Sequence, residues 1–269
     1  MKKTALYTVT PEERVDLHKI DADDTGEYKQ KEEPRERLKV LRARLAELQE
    51  ALYAENKQSL LVVFQAMDTG GKDGATKQLL TGVDPAGVRI TSFKAPSLIE
   101  LQHDFLWRIH AQTPERGVIG VWNRSHYEDV LIVRVHKLIE RKTWLDRYDA
   151  INAFEKNLVE NGTTIVKFFL HISKEEQKAR LQARLDRPEK TWKFNPTDLT
   201  ERALWSEYQH AYEDALSATS TEYAPWHIVS ANKKWARDIA VAEAVVEALE
   251  KMNPQFPKPD FDPTTIKID

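Results

Sequence analysis

The sequence SLLVVFQAMDTGGKDG, residues 59–74, decides the fold of this chain. It begins as a continuous apolar run rich in β-branched residues, which is typical of a strand buried on both faces of a parallel sheet. It then becomes glycine-rich and enters a helix. At such a junction, glycines let backbone N–H groups approach phosphate oxygens, and the helix N-terminus favours an anion. We therefore predict a phosphate-binding loop that includes Gly70, Gly71, Lys72, Asp73 and Gly74.

This loop departs from the pattern G-x-x-x-x-G-K-[ST] at two positions. Ala66 stands where the first Gly is usual, and Asp73 stands where a Ser or Thr hydroxyl would hold Mg²⁺. Another oxygen must then help to hold the metal, and Asp68 is the nearest hard ligand. The alternative is an ordinary glycine-rich turn with a solvated Lys72.

Strand and helix patterns alternate along the rest of the chain. Further strands are predicted at residues 87–93, 117–122, 163–171 and 226–231, and helices at residues 72–81, 97–111, 125–139, 143–160, 173–186, 198–219 and 233–252. This alternation predicts a doubly wound α/β sheet in one domain, residues 34–252. Residues 1–33 are expected to form an N-terminal arm, and the proline-rich residues 253–269 an irregular tail.

A stripe of leucines marks the first helix of that domain. Its members are Leu38, Leu41, Leu45, Leu48 and Leu52. Spacings of three and four residues place them on one helical face, with Pro34 in the first turn. The face either packs on the domain or forms a subunit contact, and it is too short to establish a coiled coil.

Composition excludes several classes of protein. The 269 residues carry 40 Lys and Arg against 43 Asp and Glu, so the net charge of −3 does not suit a general nucleic-acid binder. The sequence has no cysteine, which excludes disulfides and thiolate sites and fits a reducing cytoplasm. Its apolar runs are far shorter than the ~20 residues of a membrane span. We expect a soluble cytoplasmic protein without nucleic-acid or membrane partners.

A second polar cluster, NRSHYED at residues 123–129, follows a predicted strand. Ligands of open α/β sheets bind beyond the carboxyl ends of the strands, so this cluster should face the same crevice as the first loop. Asn123 and Arg124 could then contact phosphate, and the adjacent Glu128 and Asp129 offer a metal ligand or a base. The alternative is a capped helix start with acids favoured by the helix dipole. For His126 an orienting or packing role is favoured over substrate contact.

A basic segment near residues 180–196 is predicted to be a lid. Its phosphate-binding candidates are Arg184, Arg187, Lys190 and Lys193. Such a lid closes on phosphates and excludes water, and Trp192 and Phe194 would anchor it to the domain. The alternative is a solvated charged face.

Five motifs together resemble the polyphosphate kinase 2 family, and the residues of these motifs are similar to those of its class III branch. They are QAMDTGGKDG (65–74), NRSHYEDVL (123–131), FFLHISKEEQ (168–177), RLD with KTWKF (184–194) and STEYAPW (220–226). The resemblance implies a P-loop kinase-like three-layer α/β/α fold with a parallel sheet and a helical lid. It also implies reversible phosphoryl transfer from inorganic polyphosphate to AMP and ADP, giving ADP and ATP, with Mg²⁺ or Mn²⁺.

The same resemblance assigns roles to individual residues. It makes Asp68 and Asp129 the catalytic carboxylates that hold the metal, Lys72 and Arg124 phosphate clamps, and the segment from Arg184 to Lys193 the lid. It places Glu128, with Asp129, near the acceptor nucleotide, and it implies a homodimer or homotetramer. Lys94 is interpreted as part of a polyphosphate channel wall, with a surface lysine as the alternative.

Two other functions remain open from the sequence. One is an ATP-dependent nucleotide kinase of the thymidylate-kinase type, which Asp73 in the loop disfavours. The other is a non-enzymatic binder of nucleotide or polyphosphate. Binding alone has no need for two placed carboxylates, because they repel a polyanion unless a metal lies between them.

Overall fold

Six strands form one sheet in the order β1-β6-β5-β2-β4-β3. The computed structural model describes residues 3–268. Its strands are β1 (Leu6–Thr8), β2 (Ser59–Gln65), β3 (Val88–Ser92), β4 (Ile119–Asn123), β5 (Thr163–His171) and β6 (Trp226–Ser230). Strands β2 to β6 are parallel, and β1 pairs with β6 in the antiparallel direction. The carboxyl ends of the parallel strands therefore meet at one edge, where ligands bind in such sheets.

Ten α-helices accompany the sheet in the described residues 3–268. They are α1 (Arg35–Glu55), α2 (Lys72–Leu79), α3 (Trp107–His110), α4 (Ile132–Val135), α5 (Arg141–Glu160), α6 (Lys174–Leu185), α7 (Pro188–Thr191), α8 (Thr197–Ala203), α9 (Trp205–Thr219) and α10 (Lys234–Met252). None of them combines the length and apolarity that crossing a bilayer requires.

Strand β2 is buried on both faces, as its apolar sequence predicts. Its alternate residues divide between two apolar clusters. Val62 packs in the cluster that contains α1 and α10, and Val63 in the cluster that contains Phe154 and Leu158 of α5. Since side chains alternate across a strand, helices cover both faces of the sheet. The predicted three-layer α/β/α architecture is confirmed.

The leucine stripe of α1 lies inside this architecture. Leu41, Leu45, Leu48 and Leu52 are all buried, and α1 packs along α10. Burying an apolar side chain stabilises the fold by roughly 1.5–3 kcal/mol. The spacing of three and four residues brings these leucines to the one face of α1 that is buried. The stripe therefore packs on its own domain, and this face is not free for a subunit contact.

The N-terminal arm joins the sheet. Residues of β1 pair with β6, so that Leu6 lies opposite Val229, and Val9 and Leu17 beyond it are fully buried. A three-residue strand is too short to show a period of two, which is why the sequence indicated only an arm. The tail from Asn253 to Ile268 forms no α-helix, as expected.

Three of the predicted helices are wrong in extent. Residues 97–111 are mostly loop, because Asp104 accepts a hydrogen bond from the Leu106 backbone and the apolar residues Leu98 and Ile99 are exposed. Residues 125–139 divide into a short 3₁₀ helix and α4, and residues 198–219 divide into α8 and α9. In these segments the apolar spacing resembles a helix, but local capping interrupts it.

Candidate active site

The loop between β2 and α2 bends through two residues in the left-handed region. Thr69 has φ +62° and Gly71 has φ +99°. The Lys72 ammonium donates to the backbone oxygen of Ala66 at 3.0 Å, so it lies across the loop. Burial and the charge of Arg124 lower the pKa of Lys72 against the opposing effect of Asp68. This is the arrangement of glycines and one lysine that binds phosphate oxygens.

The second predicted cluster meets this loop directly. Arg124, with φ +62°, turns the chain out of β4 and places one guanidinium nitrogen 3.2 Å from Asp68 Oδ1 and the other 3.8 Å from Glu128 Oε2. Burial alone would lower the pKa of Arg124, but Glu128 and Asp68 outweigh it and raise that pKa. The Asn123 amide donates to the Asp73 carboxylate. The two motifs therefore form one site, as the topology predicts.

Two cavities open on this site and share Asp68, Arg124 and Asp198. The larger, which we call the basic cavity, has a volume of about 760 Å³. Its charged lining residues are Lys72, Lys94, Arg124, Arg180, Arg184, Lys190, Lys193, Lys234 and Arg237, with Asp68, Asp73 and Asp198. Nine cations against three carboxylates make it a site for a polyanion.

The smaller cavity, which we call the acidic cavity, has a volume of about 240 Å³. Besides Asp68, its carboxylates are Glu128, Asp198 and Glu201, and two tyrosines, Tyr208 and Tyr212, form part of its wall. The Tyr212 hydroxyl donates to the Ala66 backbone oxygen at 3.0 Å, and the Tyr208 hydroxyl donates to Glu201 at 2.6 Å. Aromatic faces beside hydrogen-bonding groups suit a ligand with a ring system rather than a bare phosphate chain.

The structure gathers most of the predicted phosphate-binding residues but not all. Lys94, Arg184, Lys190 and Lys193 line the basic cavity, whereas the exposed Arg187 lines neither of the two cavities. In the segment predicted to be a lid, Arg184 donates to the Lys193 backbone oxygen and lies 3.2 Å from Asp198. The prediction that Trp192 anchors the lid is wrong, because its side chain is 78% exposed.

Asp129 and Asp68 contact different arginines. Its carboxylate is 3.5 Å from Arg147 and 3.9 Å from Arg108, and it lines neither cavity. Burial raises the pKa of Asp129, although both arginines oppose this shift. The structure therefore does not bring the two predicted metal-holding carboxylates to one wall. The metal and nucleotide roles of Asp129 stay predictions.

Two arginines that sequence reasoning did not assign to the site hold its loop. Arg180 donates to the Thr69 backbone oxygen at 3.0 Å, and Arg237 donates to that of Gly71 at 3.2 Å. Lys234 joins them in the basic cavity. One signal could have found Lys234 and Arg237. They follow β6, whose carboxyl end lies at the same sheet edge as the loop.

Replacing Gly71 by Ala is expected to lower the free energy of unfolding by about 2 kcal/mol. A Cβ there would lie 2.4 Å from an Arg237 nitrogen, in addition to the strain of φ +99°. Gly82 is the matched control, because it has φ +88° with nothing within 4 Å of an added Cβ. Gly82→Ala should cost only about 1 kcal/mol. Urea unfolding of both variants measures the difference, and equal losses would contradict a specific role for the Arg237 contact.

A buried ionic network contacts the second cluster through His126 and Tyr127. Lys167, in the middle of β5, donates to Glu155 at 2.6 Å and to the Tyr127 hydroxyl at 2.9 Å. His126 lies 3.2 Å from the same carboxylate and is buried. Burial alone would raise the pKa of Glu155, but Lys167 and His126 lower it. His126 therefore packs within this network and lines neither of the two cavities.

Within the described residues, two carboxylates, Asp68 and Asp198, lie where the two cavities meet, and Asp68 belongs to the phosphate-binding loop itself. Mg²⁺ is usually held by one or two carboxylates together with substrate phosphates and water. Within residues 3–268 there is no cluster of three or more His, Cys, Asp or Glu side chains that could form a site by itself. The residues present therefore fit a metal that is bound together with phosphate.

Comparison with known proteins identifies the family. The family model described as polyphosphate kinase 2 (PPK2) matches residues 28–257. The chain belongs to the polyphosphate kinase 2 family. The resemblance carried by the five motifs is thereby confirmed, and with it the assignment of the chain to the kinase-type transferases.

Relatives in the polyphosphate kinase 2 family match over nearly the full length. An AMP/ADP-polyphosphate phosphotransferase of Meiothermus ruber is 51% identical over 100% of both chains. An ADP-polyphosphate phosphotransferase of Rhodopseudomonas palustris is 46% identical over 95% of this chain and 93% of its own. The crystal structure of polyphosphate kinase 2 from Arthrobacter aurescens TC1 has a TM-score of 0.91 at 48% identity, covering 98% of this chain and 96% of that one.

Proposed function

We propose that this protein transfers a phosphoryl group from inorganic polyphosphate to AMP and to ADP, giving ADP and ATP. The observation that carries this proposal is the junction of two unlike cavities at Asp68 and Arg124. The basic cavity suits a polyphosphate donor, and the acidic cavity with its two tyrosines suits the acceptor nucleotide. The names of the relatives from Meiothermus ruber and Rhodopseudomonas palustris support the same acceptors.

The reaction is a displacement at phosphorus. A terminal phosphate oxygen of the acceptor forms a bond to the terminal phosphorus of the polymer, and the anhydride bond to the next phosphate breaks. The shortened polyphosphate leaves with the electron pair. Because the acceptor phosphate is already ionised at neutral pH, the reaction has little need for a strong base. Positioning and charge stabilisation by Lys72 and Arg124 should therefore dominate catalysis.

We propose Mg²⁺, or Mn²⁺, as the metal, which Asp68 would hold at the junction of the two cavities. When bound, it would neutralise negative charge that otherwise keeps donor and acceptor apart. Without it the Asp68 carboxylate would repel them. Asp129 remains a proposed second carboxylate for this metal, although its present partners are Arg108 and Arg147.

Nucleotide chromatography after incubation with Mg²⁺ and polyphosphate tests the proposal. We expect ATP from ADP, and ADP followed by ATP from AMP, with both yields abolished by EDTA. The control replaces polyphosphate with ATP, using a nucleoside monophosphate as acceptor. Turnover with ATP but none with polyphosphate would favour the ATP-dependent kinase. Polyphosphate binding without product, and without dependence on Mg²⁺, would favour a non-enzymatic binder.

Three further properties belong to this proposal. We expect a cytoplasmic enzyme, supported by the cysteine-free sequence. We expect a homodimer or homotetramer, supported by the family resemblance, with an interface other than the leucine stripe buried in α1. Finally, we expect the reaction to be reversible, because it exchanges one phosphoanhydride bond for another.

A further inference from the structure

A second basic cavity adjoins the first beside α2 and α10. This distal cavity has a volume of about 680 Å³ and shares Gly74, Lys234 and Arg237 with the basic cavity. Its other cationic lining residues are Lys31, Arg35, Lys77 and Lys233. Six cations face only two carboxylates, those of Glu176 and Asp238. Positively charged surface therefore continues from the phosphate-binding loop to the start of α1.

Within residues 3–268, three of the six cations of the distal cavity, Lys31, Lys77 and Lys234, have no carboxylate within ion-pair distance, whereas Arg35 pairs with Glu32 at 3.4 Å and Arg237 pairs with Asp238. Lys233 pairs with the exposed Asp23 at 3.5 Å. At the shared wall, burial lowers the pKa of Lys234, and the charges of Arg180, Lys190 and Arg237 lower it further. Cations crowded in this way attract a polyanion strongly.

We propose that the distal cavity binds the far part of a long polyphosphate donor. The polymer would run from its reacting end at Asp68 and Arg124, past Lys234 and Arg237, to Lys31, Lys77 and Lys233. This inference rests on the proposed function, since it concerns the same donor. A short donor such as tripolyphosphate is held by the loop and the lid and does not extend into the distal cavity.

The opposite end of the basic cavity is less suited to the polymer. Toward β3 its lining residues are Ser92, Phe93, Lys94 and Ala95, which supply a single cation. The distal cavity adds four cations to the two that it shares. The number of phosphate contacts therefore favours the path toward α1 and α10.

The test compares two triple variants, Lys31→Ala/Lys77→Ala/Lys233→Ala and Lys39→Ala/Lys156→Ala/Lys251→Ala. Both remove three exposed lysines, and the second set lies outside all four cavities described by the structure. For the first we expect KM for long-chain polyphosphate to rise about ten-fold, from three lost surface charge contacts. We expect kcat, and all kinetics with tripolyphosphate, to stay unchanged. The control variant should match the wild-type enzyme with both donors.

Direct binding of long-chain polyphosphate, measured by calorimetry across a salt series, provides a second readout. The first variant should bind about ten-fold more weakly, with a shallower dependence of affinity on salt. Unchanged affinity and KM would overturn the inference, as would an equal loss with tripolyphosphate. If the wild-type enzyme turned over no polyphosphate, the proposed function would fail. The binding comparison would still decide whether the distal cavity holds the polymer.

Discussion

Asp68→Asn should lower kcat with both AMP and ADP by about 10²–10³. The substitution keeps the size of the side chain and an oxygen that can accept from Arg124, 3.2 Å away. It removes one of the two carboxylate charges at the junction of the cavities, and with it the proposed ligand for Mg²⁺. The concentration of Mg²⁺ required for half-maximal rate should rise as well. Steady-state rates across a Mg²⁺ series measure both effects.

The matched control for this variant is Asp146→Asn. Asp146 is exposed on α5, pairs with Lys142 and lines neither cavity. It loses the same charge and should retain wild-type activity. Near-wild-type turnover in Asp68→Asn would contradict the proposal that Asp68 holds the metal, provided that the thermal unfolding of this variant matched that of the control.

The same Mg²⁺ series distinguishes two roles for Asp129. The resemblance predicts that Asp129→Asn costs about 10² in kcat, as the loss of one placed charge does. If Asp129 reaches the metal during turnover, the Mg²⁺ requirement should rise as in Asp68→Asn. If it instead orients Arg108 and Arg147, as its present contacts indicate, the rate should fall while the Mg²⁺ requirement stays constant.

Local sequence was sufficient for much of the fold and the centre of the site. The bounds of β5 were predicted to the residue, because a run rich in β-branched and aromatic residues follows directly on Gly162. The positions of the glycine-rich loop after β2 and of the polar cluster at residues 123–129 were also predicted, because each directly follows a strand that is buried in the sheet. Parallel strands then bring these two segments together without any further information.

What could not be predicted depends on contacts between distant parts of the chain. Arg237 reaches Gly71 across 166 positions, and although its place after β6 puts it near the correct sheet edge, the sequence does not indicate that it contacts the loop. Likewise, Asp129 looks like a free carboxylate until the fold places Arg108 and Arg147 beside it. The apolar residues at 98, 99 and 101 have helical spacing, yet the structure exposes them. Periodicity predicts a buried face only where another element covers it.

Arg124→Ala is expected to lower kcat by about 10³, close to 4 kcal/mol of transition-state stabilisation. Its two guanidinium nitrogens face Asp68 and Glu128, and its side chain lines both cavities. It is therefore placed to neutralise charge on the phosphoryl group as it passes from donor to acceptor. The backbone at φ +62° is equally unfavourable for Arg and Ala, so the substitution should not change local strain.

Arg124→Lys sharpens this prediction, because it keeps the charge and removes the planar pair of donors. If charge alone mattered, the lysine variant would recover nearly all of the lost rate. We expect it to remain about 10² below the wild-type enzyme, since a single ammonium cannot replace two directed hydrogen bonds to phosphate. Arg44→Ala, on the exposed face of α1, is the control for loss of an arginine. Single-turnover rates at saturating substrates measure the chemical step, and wild-type rates in Arg124→Ala would remove Arg124 from the catalytic assignment.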